Sequence, residues 1–168
     1  MLLLSGAEAA KRVGNFINQE HQIHGYSVEL TAKQIYHLDP NGEVDFGGSE
    51  YVASTRNPVA THQKHSQDRY QWWTLTHGAY QIEFNETLEL ASDQIGFLEP
   101  HERLLRTGAE HAPIFLRGKC DPLTMLLTVS GGRVQIKQNA RISKLRVFRL
   151  GEGASTLAAP AKPARKKR

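Results

Sequence analysis

The sequence predicts a mainly β domain with one short helix at its N-terminus. Short apolar runs follow one another closely along the chain, and glycine, proline and asparagine turn signals separate them. Only one longer stretch has a clear helical period. Many short strands with a single helix favour an antiparallel sandwich or barrel over a doubly wound α/β fold.

Residues 5–18 are predicted to form the helix. Ser5 and Glu8 have the S-x-x-E spacing of a capping box. Apolar side chains follow at helical spacing, namely Ala9, Ala10, Val13, Phe16 and Ile17.

The other apolar runs are predicted strands. Tyr80, Ile82 and Phe84 alternate with polar residues, which is the period of a half-buried strand. The predicted strands cover residues 27–38, 43–46, 72–76, 79–84, 87–90, 94–98, 113–117, 123–129, 133–136 and 141–150. The polar stretch 55–70 has little to bury and is predicted to be a loop.

Length and composition predict one domain over residues 1–150 and a flexible tail over residues 151–168. The chain has 168 residues, of which 39% are hydrophobic, enough for one core of ordinary size. No apolar stretch approaches the roughly 20 residues of a membrane span, and the N-terminus lacks a signal-peptide pattern. We therefore expect a soluble, cytoplasmic protein, and the single Cys120 fits a reducing compartment.

The net charge of +4 belongs to the tail. Residues 151–168 contain five basic residues and one acid, so residues 1–150 are formally neutral. A neutral body lacks the clustered positive charge of a nucleic-acid-binding domain. Any nucleic-acid binding is therefore expected only through the tail.

Residues 100–108 carry the strongest local signal for a binding site. Arg103 and Arg106 lie near the start and end of an expected short helix that Gly108 can terminate. Guanidinium groups and free backbone N–H groups both suit phosphate. The alternative is a solvated helical turn in which Arg103 pairs with Glu102 or Glu99.

Two histidine pairs, His21 with His24 and His62 with His65, have spacings that could serve a metal. Neither pair has a cysteine or acidic ligand at a metal-site spacing, so metal binding is the less favoured interpretation.

Trp72, Trp73 and Tyr80 could stack on a nucleobase. Core or subunit-interface positions are the favoured alternative for these aromatic residues.

Four segments, taken in order, resemble the dCTP deaminase and dUTPase superfamily, especially its archaeal-type members. Residues 22–30 contain Ser-Val-Glu-Leu where the family's first motif has Ser-Val-Asp-Leu, and residues 78–86 resemble the strand before the phosphate motif. Residues 96–108 match the frame of the phosphate motif, Pro-Arg-Ser-Ser-Leu-x-Arg-x-Gly, and residues 139–148 resemble the late Gly-Ala-Arg-Ile-Ala-Gln-Leu-Val-Phe strand. The resemblance implies a dUTPase-like distorted β-barrel of the β-clip type, assembled as a homotrimer with nucleotide pockets between subunits.

Several catalytic positions of the family are changed in this chain. His101-Glu102-Arg103 stands where the family has Arg-Ser-Ser, and residues 115–120 replace the Asp-Pro-Gly-Tyr-x-Gly segment whose acid helps to activate water. The glutamate of the deaminases would fall among residues 125–127, Met-Leu-Leu. Leucine cannot act as a general base, so the resemblance implies a degenerate catalytic site.

Other features of the family pocket remain. Glu29 stands where the first motif has aspartate and is a weak candidate for holding Mg²⁺. Lys144 replaces a glutamine near the nucleotide. The predicted residues for binding nucleotide phosphate are Arg103, Arg106, Arg117, Lys119, Arg141 and Lys144.

Three hypotheses follow for the function. The favoured one is a binding or regulatory module with a pocket for a deoxynucleotide or another phosphate ligand. The second is an active, Mg²⁺-dependent dUTPase or dCTP deaminase with a displaced base among His101, Glu102, His111 and Asp121. The third is a structural trimer whose basic tails bind nucleic acid or another anion.

Overall fold

A computed structural model describes residues 1–151 and confirms the mainly β fold class. The three helices are short: α1 Gly6–Ala10, α2 Gln19–Gln22 and α3 Glu102–Leu105. The strands are β1 Leu2–Leu3, β2 Val13–Gly14, β3 Ile23–His24, β4 Ser27–Leu38, β5 Arg56–Pro58, β6 Thr61–His62, β7 Trp72–Phe84, β8 Thr87–Glu89, β9 Gln94–Pro100, β10 Ala109–Glu110, β11 Ile114–Leu116, β12 Lys119–Cys120, β13 Thr124–Lys137 and β14 Arg141–Arg149. None of the helices within residues 1–151 is long and apolar enough to cross a membrane.

One large antiparallel sheet builds the body. Its strands follow the order β10-β13-β7-β4-β14-β9-β11, and β1, β3, β5 and β6 attach to this path. The sheet curls into a half-barrel. A second sheet, β12-β8-β2, has three strands.

The core lies against the long central strands. Alternate residues of β7 are buried, so Trp73 and Leu75 are fully enclosed while their neighbours are not. Leu127 on β13 and Leu145 on β14 are equally enclosed. The alternating Tyr80, Ile82 and Phe84 are buried as the sequence predicts, although Glu83 between the last two is buried as well.

The predicted N-terminal helix is wrong in its length. Ser5 does accept a hydrogen bond from the Glu8 N–H group at 3.2 Å, but α1 ends at Ala10. The chain then enters β2 at Val13, and Asn15 adopts a positive φ of 61°. A left-handed residue cannot continue a right-handed helix, and of the predicted helix's apolar residues beyond Ala10 only Val13 is buried, whereas Phe16 is half-buried and Ile17 is exposed.

The predicted loop at residues 55–70 is also only partly correct. β5 lies within it and pairs with β4, and β6 pairs with β7. The predicted strand at residues 43–46 is reduced to a single bridge between Glu43 and Val52. These short edge strands are too polar to be recognised by hydrophobic alternation, because they bury little apolar surface.

Candidate functional site

α3 follows β9 and carries the segment that resembles the phosphate motif. The His101 N–H group donates to the Ile142 carbonyl at 2.8 Å, which attaches the start of the helix to β14. The helix stops where expected, because Gly108 has a positive φ of 83°. A Cβ atom there would also lie 3.3 Å from the Gly131 nitrogen.

The imidazole of His101 caps α3 from inside the protein. Its Nδ1 atom accepts a hydrogen bond from the Arg103 N–H group at 3.0 Å. Nδ1 therefore carries no proton, and Nε2 must donate to Glu29 Oε1, which lies 3.1 Å away. Both ring nitrogens are thus engaged in a neutral ring that is 3% exposed.

The buried Glu29 is the centre of a polar cluster, which we name the Glu29 cluster and which contains His24, Glu29, His101 and Arg141. Arg141 Nη1 lies 2.9 Å from Glu29 Oε2, and His24 Nε2 lies 3.4 Å from Oε1. The Arg141 contact is an ion pair without the alignment of a hydrogen bond. Arg141 also donates to the His21 carbonyl at 2.6 Å. The cluster joins the N-terminal segment, β4, β14 and the start of α3.

The residues around Glu29 do not fit the Mg²⁺ site that the superfamily resemblance implies. Mg²⁺ prefers carboxylate oxygens and several water molecules in an octahedron. Both carboxylate oxygens of Glu29 instead face cationic or N–H donor groups of its own chain. Among residues 1–151, no three His, Cys, Asp or Glu side chains form a group that could hold a metal ion.

A cavity of about 550 Å³ lies beside the Glu29 cluster. Arg103 and Arg141 reach it from α3 and β14, and Lys137 reaches it from the end of β13. Trp72 and Tyr70 supply its aromatic wall. We call it the Trp72 cavity. It combines three cationic groups with an aromatic surface.

Trp72 is the single member of the predicted aromatic platform that lies in this cavity. Its indole Nε1–H group donates to Asp68 at 3.3 Å, and Lys137 bridges to the same carboxylate at 2.9 Å. The hydrogen bond from Lys137 is the first cause that holds the pKa of Asp68 below its usual value. Trp73 and Tyr80 are buried in the core, which agrees with the alternative interpretation that they are core residues and not a surface for a nucleobase.

The other predicted phosphate-binding residues do not gather at the Trp72 cavity in a single chain. Lys144 Nζ lies 3.7 Å from the Glu102 carboxylate. Arg106 is exposed at the end of α3, and Arg117 is exposed between β11 and β12. Lys119 lines a separate cavity of about 240 Å³ beside β2 and β8.

Arg103 does not take either of the acidic partners that the solvated-turn alternative gave it. Glu99 pairs with Arg146 instead, and Glu102 faces Lys144. Both acids are therefore engaged by cations of β14, while Arg103 lines the Trp72 cavity.

The four candidate bases lie in different environments. His111 is buried, and burial lowers the pKa of its ring. Its Nδ1 atom is 3.0 Å from the Ala112 carbonyl, and its Nε2 atom is 2.7 Å from the Ser143 hydroxyl. Like His101, it has both nitrogens engaged. Glu102 and Asp121 are exposed and lie on separate elements.

A buried carboxylate that the sequence analysis did not select is Glu86. It accepts hydrogen bonds from Gln22 Nε2 at 2.7 Å, from the Thr31 N–H group at 2.8 Å and from the Thr31 hydroxyl at 2.7 Å. Burial raises the pKa of Glu86 above its usual value, although these hydrogen bonds oppose the change. No sequence spacing could have found this network, since Glu86 lies 64 residues from Gln22.

Sequence comparisons find relatives over most of the chain, although no family model matches it. A protein of Methanosarcina mazei named "Probable deoxyuridine 5'-triphosphate nucleotidohydrolase" is 29% identical over 161 residues, which are 89% of this chain and 90% of the relative. A Methanosarcina barkeri protein of the same name is 28% identical over 162 residues, 90% of each chain.

Comparison with solved structures finds the same fold. The 2'-deoxycytidine 5'-triphosphate deaminase of Agrobacterium tumefaciens superposes with a TM-score of 0.59 at 15% identity. The match covers 89% of this chain and 48% of the deaminase, so this chain spans about half of that protein's length. The relatives, the shared fold and the four collinear motifs agree, and the chain belongs to the dCTP deaminase and dUTPase superfamily.

Proposed function

We propose that this protein is a dUTPase-like nucleotide-pocket protein that binds a deoxynucleotide or another phosphate ligand. We further propose that it lacks the standard catalysis of its superfamily and acts as a binding or regulatory module. The binding part is supported by the names of its relatives and by the Trp72 cavity. The loss of catalysis is supported by the Glu29 cluster.

The observation that carries the proposal is which residues occupy the positions of the phosphate motif in this chain. Superfamily members with the standard motif have Arg-Ser-Ser where this chain has His101, Glu102 and Arg103. Here the imidazole of His101 already accepts a hydrogen bond from the Arg103 N–H group, which is therefore not free to bind phosphate. Glu102 adds an exposed negative charge at the start of the same helix, and this charge would repel a triphosphate.

The Trp72 cavity remains suited to a smaller or differently placed phosphate ligand. Its volume of about 550 Å³ is within the usual range for small-molecule pockets. Arg103 is the best candidate for contacting phosphate, because it lines the cavity while Glu99 and Glu102 are engaged by other cations. Trp72 offers an aromatic surface for a base, and Lys64 Nζ, 4.0 Å from the ring centroid, would have to move aside.

The homotrimer that the resemblance implies is part of the proposal. Exposed apolar side chains support an association between copies: Leu105, Phe115 and Leu126 each expose about half of their surface. The Phe115 ring packs on Phe97 of β9, with 5.1 Å between centroids. If the protein turns over a nucleotide, we expect the reaction to need Mg²⁺ held by the phosphates, since Glu29 is already engaged.

The test is a panel of nucleotides with purified protein and Mg²⁺. We would measure thermal stability together with release of pyrophosphate and ammonia for dUTP, dCTP, dTTP and their ribonucleotide forms. A ligand that binds only the folded state raises the melting temperature. We expect at least one deoxynucleotide to stabilise the protein without release of either product.

Two arginine variants locate the binding site. Arg103→Ala should weaken binding by about tenfold or more, because a charge-assisted hydrogen bond to phosphate is lost. Arg149→Ala is the matched control, since Arg149 lies at the far end of β14 and pairs with Asp93 on the surface. Turnover of dUTP or dCTP would contradict the loss of catalysis. The absence of stabilisation by every nucleotide would contradict binding.

A further inference from the structure

Residues 39–55 form a projection from the sheet between β4 and β5, which we name the acidic arm. Its base is closed by a hydrogen bond from the Asp39 N–H group to the Thr55 carbonyl at 3.0 Å. Its two legs are joined by the bridge between Glu43 and Val52. The arm is therefore a defined structure and not an open loop.

The tip of the arm is closed by one aspartate. Asp45 Oδ2 accepts hydrogen bonds from the N–H groups of Ser49 at 2.9 Å and Glu50 at 3.1 Å. These bonds set the turn and hold the neighbouring exposed side chains in place.

The arm combines negative charge with exposed apolar surface. It carries four acids and neither lysine nor arginine, a formal charge of −4; the acids are Asp39, Glu43, Asp45 and Glu50. Four of its large apolar side chains are exposed, namely Val44, Phe46, Tyr51 and Val52. Among the described residues, the core cluster includes none from the arm. Such a surface suits an extended basic segment with some apolar residues.

The chain contains one segment of that composition. Residues 160–168 read Pro-Ala-Lys-Pro-Ala-Arg-Lys-Lys-Arg, with five basic residues and no acid. We propose that the acidic arm is the docking site for residues 160–168 of a second copy of this chain.

The length of the tail favours a second copy over the same copy. Leu145 of β14 pairs with Val28 of β4, so the path from Arg149 to Leu38 runs four residues along β14 and ten along β4. At about 3.3 Å per residue this path is about 46 Å. Counted from the same Arg149, Lys162 lies thirteen residues away and reaches about 46 Å only at full extension, so docking on the same copy would need the whole connecting segment to be stretched along this path. Curling of the sheet shortens the straight line, so docking within one copy is an outcome that the experiment must distinguish.

The proposed contact combines ion pairs with apolar packing. Two grooves of about 540 and 590 Å³ run along the arm, and both are lined by Glu43, Val44, Tyr51 and Val52. The basic heads would pair with carboxylates, while the lysine stems and the alanine and proline residues would cover the apolar side chains. Exposed ion pairs are screened by salt, so the association should weaken as ionic strength rises.

The experiment uses full-length protein throughout. Copies labelled with ¹⁴N and ¹⁵N are mixed, unfolded and refolded together so that any assembly contains both labels. They are then treated with a carbodiimide, which joins carboxylates directly to amines, and the cross-linked peptides are identified by mass spectrometry. We expect links from Lys162, Lys166 or Lys167 to acids of the arm that join the two labels. Links between Lys33 and Glu83, which lie 2.7 Å apart within one chain, are the internal control and should carry a single label.

A second measurement does not use the carbodiimide. Acids of the arm can therefore be substituted without removing the groups that the cross-linking reaction needs. A fluorescent peptide with the sequence of residues 158–168 is titrated onto full-length protein and onto the variant Glu43→Gln/Glu50→Gln. We expect the variant to bind about fivefold more weakly, as the loss of two exposed ion pairs allows. Glu20→Gln/Glu110→Gln removes two exposed acids elsewhere and should bind the peptide normally.

Three results would overturn the proposal. Links that carry only one label would mean that the tail docks on its own copy. Equal binding of the peptide to the arm variant would mean that the tail recognises another surface. Binding of the peptide to duplex DNA but not to the protein would make nucleic acid the partner of the tail.

Discussion

At the scale of single residues, the central feature is a buried glutamate held between an arginine and a histidine. Glu29 is 6% exposed, and its position on β4 places it opposite Lys144 of β14. A charge in such a place is tolerated only when it is paired, because burial removes its hydration. Arg141 supplies an ion pair and His101 a hydrogen bond, so we interpret Arg141 as a structural residue as well as a cavity residue.

Removal of Arg141 should test this pairing. We expect Arg141→Ala to lower the free energy of unfolding by about 2 to 3 kcal/mol, since it leaves a buried carboxylate without its cation. The double variant Glu29→Gln/Arg141→Ala should recover part of this loss. Urea denaturation of the two single variants and the double variant gives the coupling energy. Additive effects would contradict the pairing, and the exposed pair Arg149–Asp93 is the control, with an expected coupling below about 0.5 kcal/mol.

Glu86 should make stability depend on pH in the unusual direction for a carboxylate. Because burial raises the pKa of Glu86 in the folded state, the folded protein holds this proton to higher pH than the unfolded chain does. Its contribution to stability is therefore present below the ordinary pKa of glutamate and is lost as pH rises through the raised value. The free energy of unfolding should be measured for the wild type and for Glu86→Gln by denaturation across this pH range. As pH rises, the wild type should lose stability relative to the variant. A difference that does not vary with pH would mean that the pKa of Glu86 is not raised.

At the scale of elements, α1 shows why a helix prediction from periodicity can fail. The capping signal at Ser5 is local and was predicted correctly. The end of the helix depends on the path of the chain into β2 at Val13, and the start of α1 packs closely against β3. Gly6 makes this approach possible: a Cβ atom there would lie 1.7 Å from the His24 carbonyl oxygen.

Gly6→Ala should therefore be strongly destabilising. Glycine to alanine inside a helix usually stabilises by about 1 kcal/mol, because alanine has the higher helix propensity. Here we expect a loss of about 3 kcal/mol or more, since backbone would have to move. Thermal or urea denaturation would measure it. Gly25→Ala is the control, since a Cβ atom at Gly25 meets nothing within 4 Å, and stabilisation by Gly6→Ala would contradict the observed packing.

At the scale of the whole molecule, the apolar residues on β11, β13 and α3 should decide whether copies associate. We expect Phe115→Ser/Leu126→Ser to shift full-length protein from a trimer towards monomers, because both side chains lose apolar contact area. Light scattering after size-exclusion chromatography measures the mass. Tyr26→Ser changes another exposed aromatic residue and should leave the mass unchanged. A wild-type monomer would contradict the trimer proposal.

Several predictions from the sequence concern residues that the structure does not describe or properties that a structure does not report. The tail lies outside the described residues after Gly151. Cytoplasmic location, Mg²⁺ dependence and nucleic-acid binding through the tail stay predictions. The candidate bases Glu102 and Asp121 also stay predictions, whereas His101 and His111 have both ring nitrogens engaged.

The sequence by itself determined the fold class, the bounds of β4 and the stop of α3 at Gly108, because alternation, turn residues and left-handed glycine are local properties of the chain. It also placed Arg103 and Arg141 among the binding residues, and both line the Trp72 cavity. Only the tertiary structure decided that His101 meets Glu29, 72 residues away, and that Arg117 and Lys119 lie elsewhere. Such meetings depend on which strands pair and in which register, and strand pairing is a property of the whole sheet.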